Sequence, residues 1–381
     1  MIIINFLKDV SSEITNCFLN WKQSFHSVER VFSNNVCEEH SMKKISMLAT
    51  AALVACSTAC FALQAPTMQK SKAPAVNKNA DFTMNIGDVA GPNHPINVAL
   101  KEFKQKVEER TGGKVAVNLY DSSSLGGELE MLEQMNTGTL ESCILMSSSY
   151  WERYDGAANV TLIPFLFDSL EGARNAWNGK LGEKFAKELI EPNGAYVLSY
   201  WESGYRHMTD NERPIVKPED MKGIKFRTNE NDMKVQMFKA LDANVIMMPF
   251  SELFTALQQG TVNGQENPAA NILSSSLNEV QKYMSLTGHM YDNCVFGVSK
   301  KWFDQIPADT QKIIYEEAAN ARLTDLKLSD ETKFIDELKA KGMQVNEVDK
   351  EAFRKAVKPV WDRFEKEHPG WIELARSSQN N

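Results

Sequence analysis

The six histidines, His26, His40, His94, His207, His289 and His368, are scattered, and no two stand in HExxH or HxxxH spacing. No cysteine–histidine cluster fits a zinc site. The chain has no GxxxxGK[ST] loop to cradle a phosphate and no GxSxG elbow to expose a serine nucleophile. Cys143 and Cys294 each lie within an apolar run, as core residues do; a disulfide between them stays open in an oxidising compartment. Hydroxyls cluster in Met146-Ser147-Ser148-Ser149, where they would suit a polyol or a second carboxylate. Trp201 could stack on a ligand, although a buried indole is its commoner fate. Asp88 and His94 share an early loop and are weaker candidates. No catalytic residue, metal site or cofactor motif emerges, and the residue inventory favours binding over catalysis.

The elements that would position these residues alternate between strand and helix. Phe82 to Ile86 reads as a first strand, followed by a turn at Gly91-Pro92-Asn93-His94-Pro95. Ala99, Phe103 and Val107 recur at helical spacing until Gly112-Gly113. Val115, Val117 and Leu119 alternate as a strand, Glu128 to Met135 looks helical, and Leu140 to Met146 is apolar enough for a buried strand. The alternation returns after Ser203. Gly223 to Arg227 reads as a strand, Met233, Met237, Phe238 and Leu241 mark a helix face, and Ser251 can cap a helix ending at Gly260. A short strand begins at Val262, another covers Val295 to Val298, and a long helical stretch follows Pro307 toward Lys341. Two α/β blocks without a flexible linker predict two lobes joined by strands or helices. Ligands in open α/β folds bind outside the carboxyl ends of the strands, and in two lobes those ends can face each other across a cleft.

The chain has 381 residues and a net charge of -8. Its basic residues are dispersed, which argues against a nucleic-acid partner, since phosphate neutralisation needs clustered Lys and Arg. Lys43 and Lys44 precede an apolar stretch from Ile45 to Ala55, and small residues follow at Ala59, Ala62 and Ala65, the pattern of a secretory signal. We therefore read residues 1–41 as a mis-called leader, 42–65 as a signal peptide and 66–80 as a tether. The binding domain is 81–381, with lobe I at 81–203 and 293–332, lobe II at 204–292 and C-terminal helices at 333–381. Leu53-Val54-Ala55-Cys56 also fits a lipobox, which would make Cys56 a lipid anchor; cleavage after Ala62 or Ala65 would discard it.

From Met221 to Pro268 the motifs become specific. The sequence runs Met221-Lys222-Gly223-Ile224-Lys225-Phe226-Arg227, then Phe238-Lys239-Ala240-Leu241, then Met248-Pro249-Phe250-Ser251-Glu252-Leu253-Phe254-Thr255-Ala256-Leu257-Gln258-Gln259-Gly260, and closes on Gly264-Gln265-Glu266-Asn267-Pro268. With Thr111-Gly112-Gly113-Lys114, Leu125-Gly126-Gly127-Glu128 and Trp201-Glu202-Ser203-Gly204-Tyr205-Arg206, this resembles the solute-binding subunits of tripartite ATP-independent periplasmic (TRAP) transporters over about residues 81 to 370.

The resemblance implies an α/β, two-lobed periplasmic-binding-protein-like fold with a hinge and a long C-terminal helix. It implies that Arg227 pairs with the ligand carboxylate, that Arg206 stands near the same group, that Asn267 hydrogen-bonds the ligand and that Phe250 forms an aromatic wall. The physics agrees: a carboxylate taken into a closed cleft must be paired, and the planar guanidinium meets both its oxygens at once. Met146, Ser147, Glu128 and Trp201 complete the candidate ligand contacts, although a helix-opening acid such as Glu128 is favoured by the dipole alone. The sequence departs from the family pattern at Asp242, where a glycine is common, and at Val245-Ile246-Met247, where Pro-Thr-Pro is commoner. Sialic-acid binders tend to carry an acid where Met146 stands, which counts against an amino-sugar ligand.

The reading is therefore a periplasmic binder of a small organic acid, a four-carbon dicarboxylate or a sugar acid. It would act as a monomer without cofactor or metal and deliver its ligand to the small and large membrane subunits of a TRAP transporter. Two rivals share the same cleft: a sensory binding protein feeding a receptor kinase, and an exported hydrolase.

Overall fold

The computed structural model describes residues 80–380. The leader, the signal segment, nearly all of the tether and Cys56 lie outside the described residues.

The first block is β1 (Phe82–Gly87), α1 (Pro95–Arg110), β2 (Val115–Tyr120), α2 (Glu128–Thr137) and β3 (Ser142–Leu145). Helix α1 starts where proline suits the first turn and where the His94 imidazole caps it, accepting from the Ile96 amide at 3.2 Å. Its apolar face, Ile96, Ala99, Leu100, Phe103 and Val107, is buried at 3–4 residue spacing. Phe103 meets Phe296 edge to face at 5.0 Å. Helix α2 carries Glu128 and Glu130 in its first turn, where the helix dipole favours acids, and ends on Gly138 in the left-handed region.

After α3 (Leu170–Trp177) and α4 (Lys180–Phe185), the 16-residue strand β4 (Ala195–Asp210) leads to the second block. That block is β5 (Lys225–Thr228), α5 (Asp232–Ala240), β6 (Asn244–Met247), α6 (Phe250–Gln258) and β7 (Gly264–Pro268). Helix α7 (Ala269–Ser274) and the 17-residue strand β8 (Tyr283–Ser299) follow, then α8 (Lys300–Phe303), α9 (Ala308–Leu328), α10 (Glu331–Ala340), strand β9 (Gln344–Asn346) and helices α11 (Lys350–Ala356), α12 (Lys358–Glu367) and α13 (Trp371–Ser377).

Among the described residues the strands form one sheet in the order β2-β1-β3-β8-β4-β7-β5-β6, with β9 beside β8. In each block the first strand lies in the middle and the second outermost, parallel to it. The third strand of each block abuts the antiparallel pair β4–β8, so the blocks mirror one another about it. These two long strands are the link that the two α/β blocks required. Their pairing shifts register between Val197 and Ser199, between Glu202 and Gly204, and between Arg206 and Met208. Bulges of this kind bend and twist a ribbon, here midway between the blocks, where Gly204 takes φ 104°.

Several expected boundaries move. Ser251 does not cap α6: the helix begins at Phe250 after Pro249 and takes no side-chain cap. The strand expected from Val262 starts at Gly264, and the stretch after Pro307 is two helices parted at Ser329 and Asp330, with Asp330 capping the second. Trp201 does not face the cleft: its indole donates to the Ala318 carbonyl on α9 at 3.2 Å and packs edge to face on Phe296. Cys143 and Cys294 are free, buried thiols, each against a methionine sulfur, Met135 and Met146 respectively.

Candidate functional site

The carboxyl ends of the parallel strands converge on one narrow cavity lined from both blocks. The first block supplies Val89 just beyond β1, Glu128 at the start of α2, and Met146, Ser147 and Tyr150 beyond β3. The second supplies Asn229 beyond β5, Lys234 on α5, Phe250 at the start of α6, Asn267 in β7 and Asn271 on α7. Arg227 stands in β5, while Arg206 and Asp292 come from the linking strands β4 and β8. Seven of the eight expected contacts thus meet in one place, Trp201 being the exception. A second cavity, against Ser203, Tyr205, Pro268 and Phe334, has neither arginine nor lysine in its wall, so it offers a carboxylate no cation.

Arg227 is 2 % exposed. Its Nε and Nη2 both donate to one oxygen, the Met248 carbonyl, at 3.0 and 2.8 Å, and its guanidinium lies 5.7 Å from the Phe250 ring centroid. Among the described residues it has no carboxylate within ion-pair distance. Burial holds its pKa below the usual arginine value, with Tyr150 and Glu266 pulling the other way. A buried, fixed cation without a counter-ion, at the wall of a cavity, is arranged for an anion that comes from outside.

Arg206 is different, because it is already paired. It forks onto the Glu266 carboxylate, with its Nε on Oε2 and Nη2 on Oε1 at 3.0 Å. Nη2 also donates to Asn267 Oδ1 at 3.1 Å, and Nη1 stands 3.5 Å from Asp292 Oδ2. Lys234, 1 % exposed, adds a second cation on Glu266 at 3.1 Å. Burial pushes the Glu266 pKa up, but Arg206 and Lys234 outweigh it and hold the carboxyl well below its usual range. Lys234 itself is lowered by burial and by the charge of Arg206. The expected role of Arg206 beside the ligand thus comes with a structural one, the buried Glu266 pair.

On the facing side Glu128 accepts from the Met146 amide at 2.8 Å and from the Tyr150 hydroxyl. Burial raises its pKa, and these two bonds oppose the rise. The Tyr150 hydroxyl in turn accepts from Asn229 Nδ2 at 3.1 Å, joining the two blocks. Two more bonds join them: Asn231 Nδ2 donates to Asn159 Oδ1 at 2.8 Å, and His94 Nε2 meets Asn271 Oδ1 at 2.9 Å. Since His94 Nδ1 accepts from Ile96, its Nε2 is the donor, and burial lowers its pKa to about 4, so the ring is neutral. Ser147 lines the cavity, whereas Ser148 is spent on Asn293. Asp88 turns back to the Ala90 amide and Asn97 and does not line the cavity.

The departures from the family pattern fall outside this wall. Asp242 is exposed with φ 55°, the conformation that explains why glycine is common there. Val245-Ile246-Met247 belongs to the edge strand β6, with Met247 half exposed. Val89, Tyr150, Asn229, Lys234, Asn271 and Asp292 also line the cavity and are not among the contacts expected from the sequence.

The model of bacterial extracellular solute-binding proteins, family 7, matches residues 86–367. A solute-binding protein of Verminephrobacter eiseniae is 36% identical over 304 residues, 79% of this chain and 90% of its own length. The 2,3-diketo-L-gulonate-binding periplasmic protein YiaO of Escherichia coli is 33% identical over 285 residues, 74% of this chain and 86% of that protein. A TRAP periplasmic solute-binding protein from Polaromonas sp. JS666, solved with D-erythronate bound, superposes with a TM-score of 0.74 at 36% identity, covering 78% of this chain and 98% of that one.

Proposed function

Because the chain belongs to the family 7 bacterial extracellular solute-binding proteins, we propose that it captures a small organic acid on Arg227 and hands it to the membrane subunits of a TRAP transporter. That it is a TRAP solute-binding protein for small acids follows from the family; the residues that bind and the identity of the acid are our reading. The observation that carries the reading is Arg227, buried at the cavity wall with no carboxylate within ion-pair distance among the described residues.

In this reading the ligand carboxylate takes the place of a counter-ion. Asn267, the Phe250 ring and Arg206 flank it, and Glu128, Met146 and Ser147 close the other side. Ligand contacts to both blocks favour the closed arrangement, in which Tyr150–Asn229 and His94–Asn271 are made. The bulged strands β4 and β8 serve as hinge between a lobe I of residues 81–203 and 293–332 and a lobe II of residues 204–292. We further propose export through the segment 42–65, action outside the cytoplasm as a monomer, and delivery to the small and large membrane subunits. The relatives are named as solute-binding proteins, which supports binding without turnover and gives no support to a hydrolase or a receptor-coupled sensor.

The test is a melting-temperature screen of the mature protein with a panel of organic acids, followed by calorimetry. A ligand at a hundred times its Kd stabilises by about 2.7 kcal/mol, a readily visible shift. A panel of mono- and dicarboxylates that leaves the melt unmoved would refute the reading.

A further inference from the structure

The cavity holds a second instruction besides the cation of Arg227. Asp292, in the middle of β8, is fully buried, lines the cavity, and has no hydrogen-bond partner on either carboxylate oxygen among the described residues. Among the described residues the cation nearest to it is Arg206 Nη1 at 3.5 Å, longer than a hydrogen bond of this type, while the Nε and Nη2 of that arginine are on Glu266. Burial raises the Asp292 pKa, and Arg206, Lys234 and the Ser147 hydroxyl oppose the rise. A carboxylate accepts at up to about four lone-pair positions and donates at none. It therefore calls for donors from whatever fills the cavity.

The charges reinforce this. Around the cavity, Arg206, Arg227 and Lys234 face Glu128, Asp292 and Glu266, which stands just behind the wall. Arg206 and Lys234 are held by Glu266, so Arg227 alone lacks an anion. One ligand carboxylate fits that cation. A second would be left without a cation and would stand in the same small space as Glu128 and Asp292, a like-charge contact in a desolvated site.

Resting on the reading that Arg227 takes a ligand carboxylate, we propose that Asp292 selects against dicarboxylates and for polyhydroxylated monocarboxylates of sugar-acid type, whose hydroxyls donate to its unpartnered oxygens. Asp292 is thus the specificity-determining residue. Amides and hydroxyls that can act both ways, Asn229, Asn267 and Ser147, complete a lining suited to a chain of hydroxyls.

A four-carbon set isolates the two terms, since D-erythronate and succinate match in length and differ in hydroxyls and in the second charge. Calorimetry on the full mature chain should show erythronate binding at least tenfold tighter than succinate. Butyrate, with the same single carboxylate and no hydroxyls, should bind at least a hundredfold more weakly than erythronate. Asp292→Asn should lose at least tenfold for erythronate and should not lose affinity for succinate. Succinate binding as tightly as erythronate, or butyrate equal to erythronate, overturns the proposal even if Asp292→Asn fails to fold, and either result leaves the Arg227 reading standing. If six-carbon sugar acids and the whole four-carbon set fail to bind, both readings fall together.

Discussion

The Tyr150 hydroxyl stands between two residues of opposite blocks, donating to the Glu128 carboxylate and accepting from Asn229 Nδ2 at 3.1 Å. The first bond lies within the block that carries β1 to β3, and the second crosses the cleft. Opening the cleft would break only the second, so Tyr150 reports closure rather than fold. Tyr150→Phe should weaken ligand binding by about 2–10-fold, the range of one neutral hydrogen bond. Small-angle scattering should then show a larger open fraction at subsaturating ligand. Unchanged affinity would remove this bond from the closing mechanism.

Arg206 and Arg227 should separate stability from binding. Truncating one partner of a buried ion pair costs about 3–5 kcal/mol, so Arg206→Ala should lower the denaturation midpoint steeply even without ligand. Among the described residues Arg227 has no carboxylate within ion-pair distance, and its truncation strands only the Met248 carbonyl, at a cost of about 1–3 kcal/mol. Arg227→Ala should therefore lose less stability than Arg206→Ala in the absence of ligand while losing the ligand-induced shift. Urea titrations of both variants, with and without ligand, check the contrast; equal destabilisation of the two would contradict it.

Two buried acids that do not line the cavity set a pH dependence. Burial raises Asp88 to about 8 and Asp325, which accepts from the Glu202 amide at 2.8 Å, to about 7. For a carboxyl raised on folding, the native state holds the proton more tightly than the unfolded chain. The stabilisation is complete below the unfolded value near 3.8 and is lost as pH rises through the folded value. Stability should thus fall between about pH 4 and pH 8 and level off above, and Asp88→Asn should flatten the decline. Thermal melts across that range decide it, and a wild-type curve that rises from pH 4 to pH 8 would reverse the assignment.

Much of this site could be read before any coordinates, and the reason is local. Arg227 follows the compact strand signal Gly223 to Phe226, and Phe250 opens a helix whose apolar face is regular. Glu128 and Ser147 sit beside glycine or serine punctuation at strand ends. What stayed hidden belongs to the linking strands. β8 buries Thr287, His289, Asp292 and Asn293 in succession with Cys294 and Val295, so polar and apolar residues do not alternate, and only Val295 to Val298 looked like a strand. β4 conceals Glu202, Arg206 and His207 in the same way. Lys234 is not among Met233, Met237, Phe238 and Leu241, which mark the helix face in the sequence; only the fold brings Glu266, 32 residues later, to its ammonium. Buried polar residues that pair across long sequence distances leave no periodic trace.

The account stands or falls on the fork of Arg227. The most direct measurement is the Kd, by calorimetry, of the tightest-binding acid for wild type, Arg227→Ala and Arg227→Lys. A lysine keeps the charge but cannot hold the Met248 carbonyl and both carboxylate oxygens at once. Both variants should bind more than about a hundredfold more weakly, as loss of about 3 kcal/mol or more requires. Wild-type affinity in Arg227→Lys would contradict the claim that this guanidinium grips the ligand carboxylate.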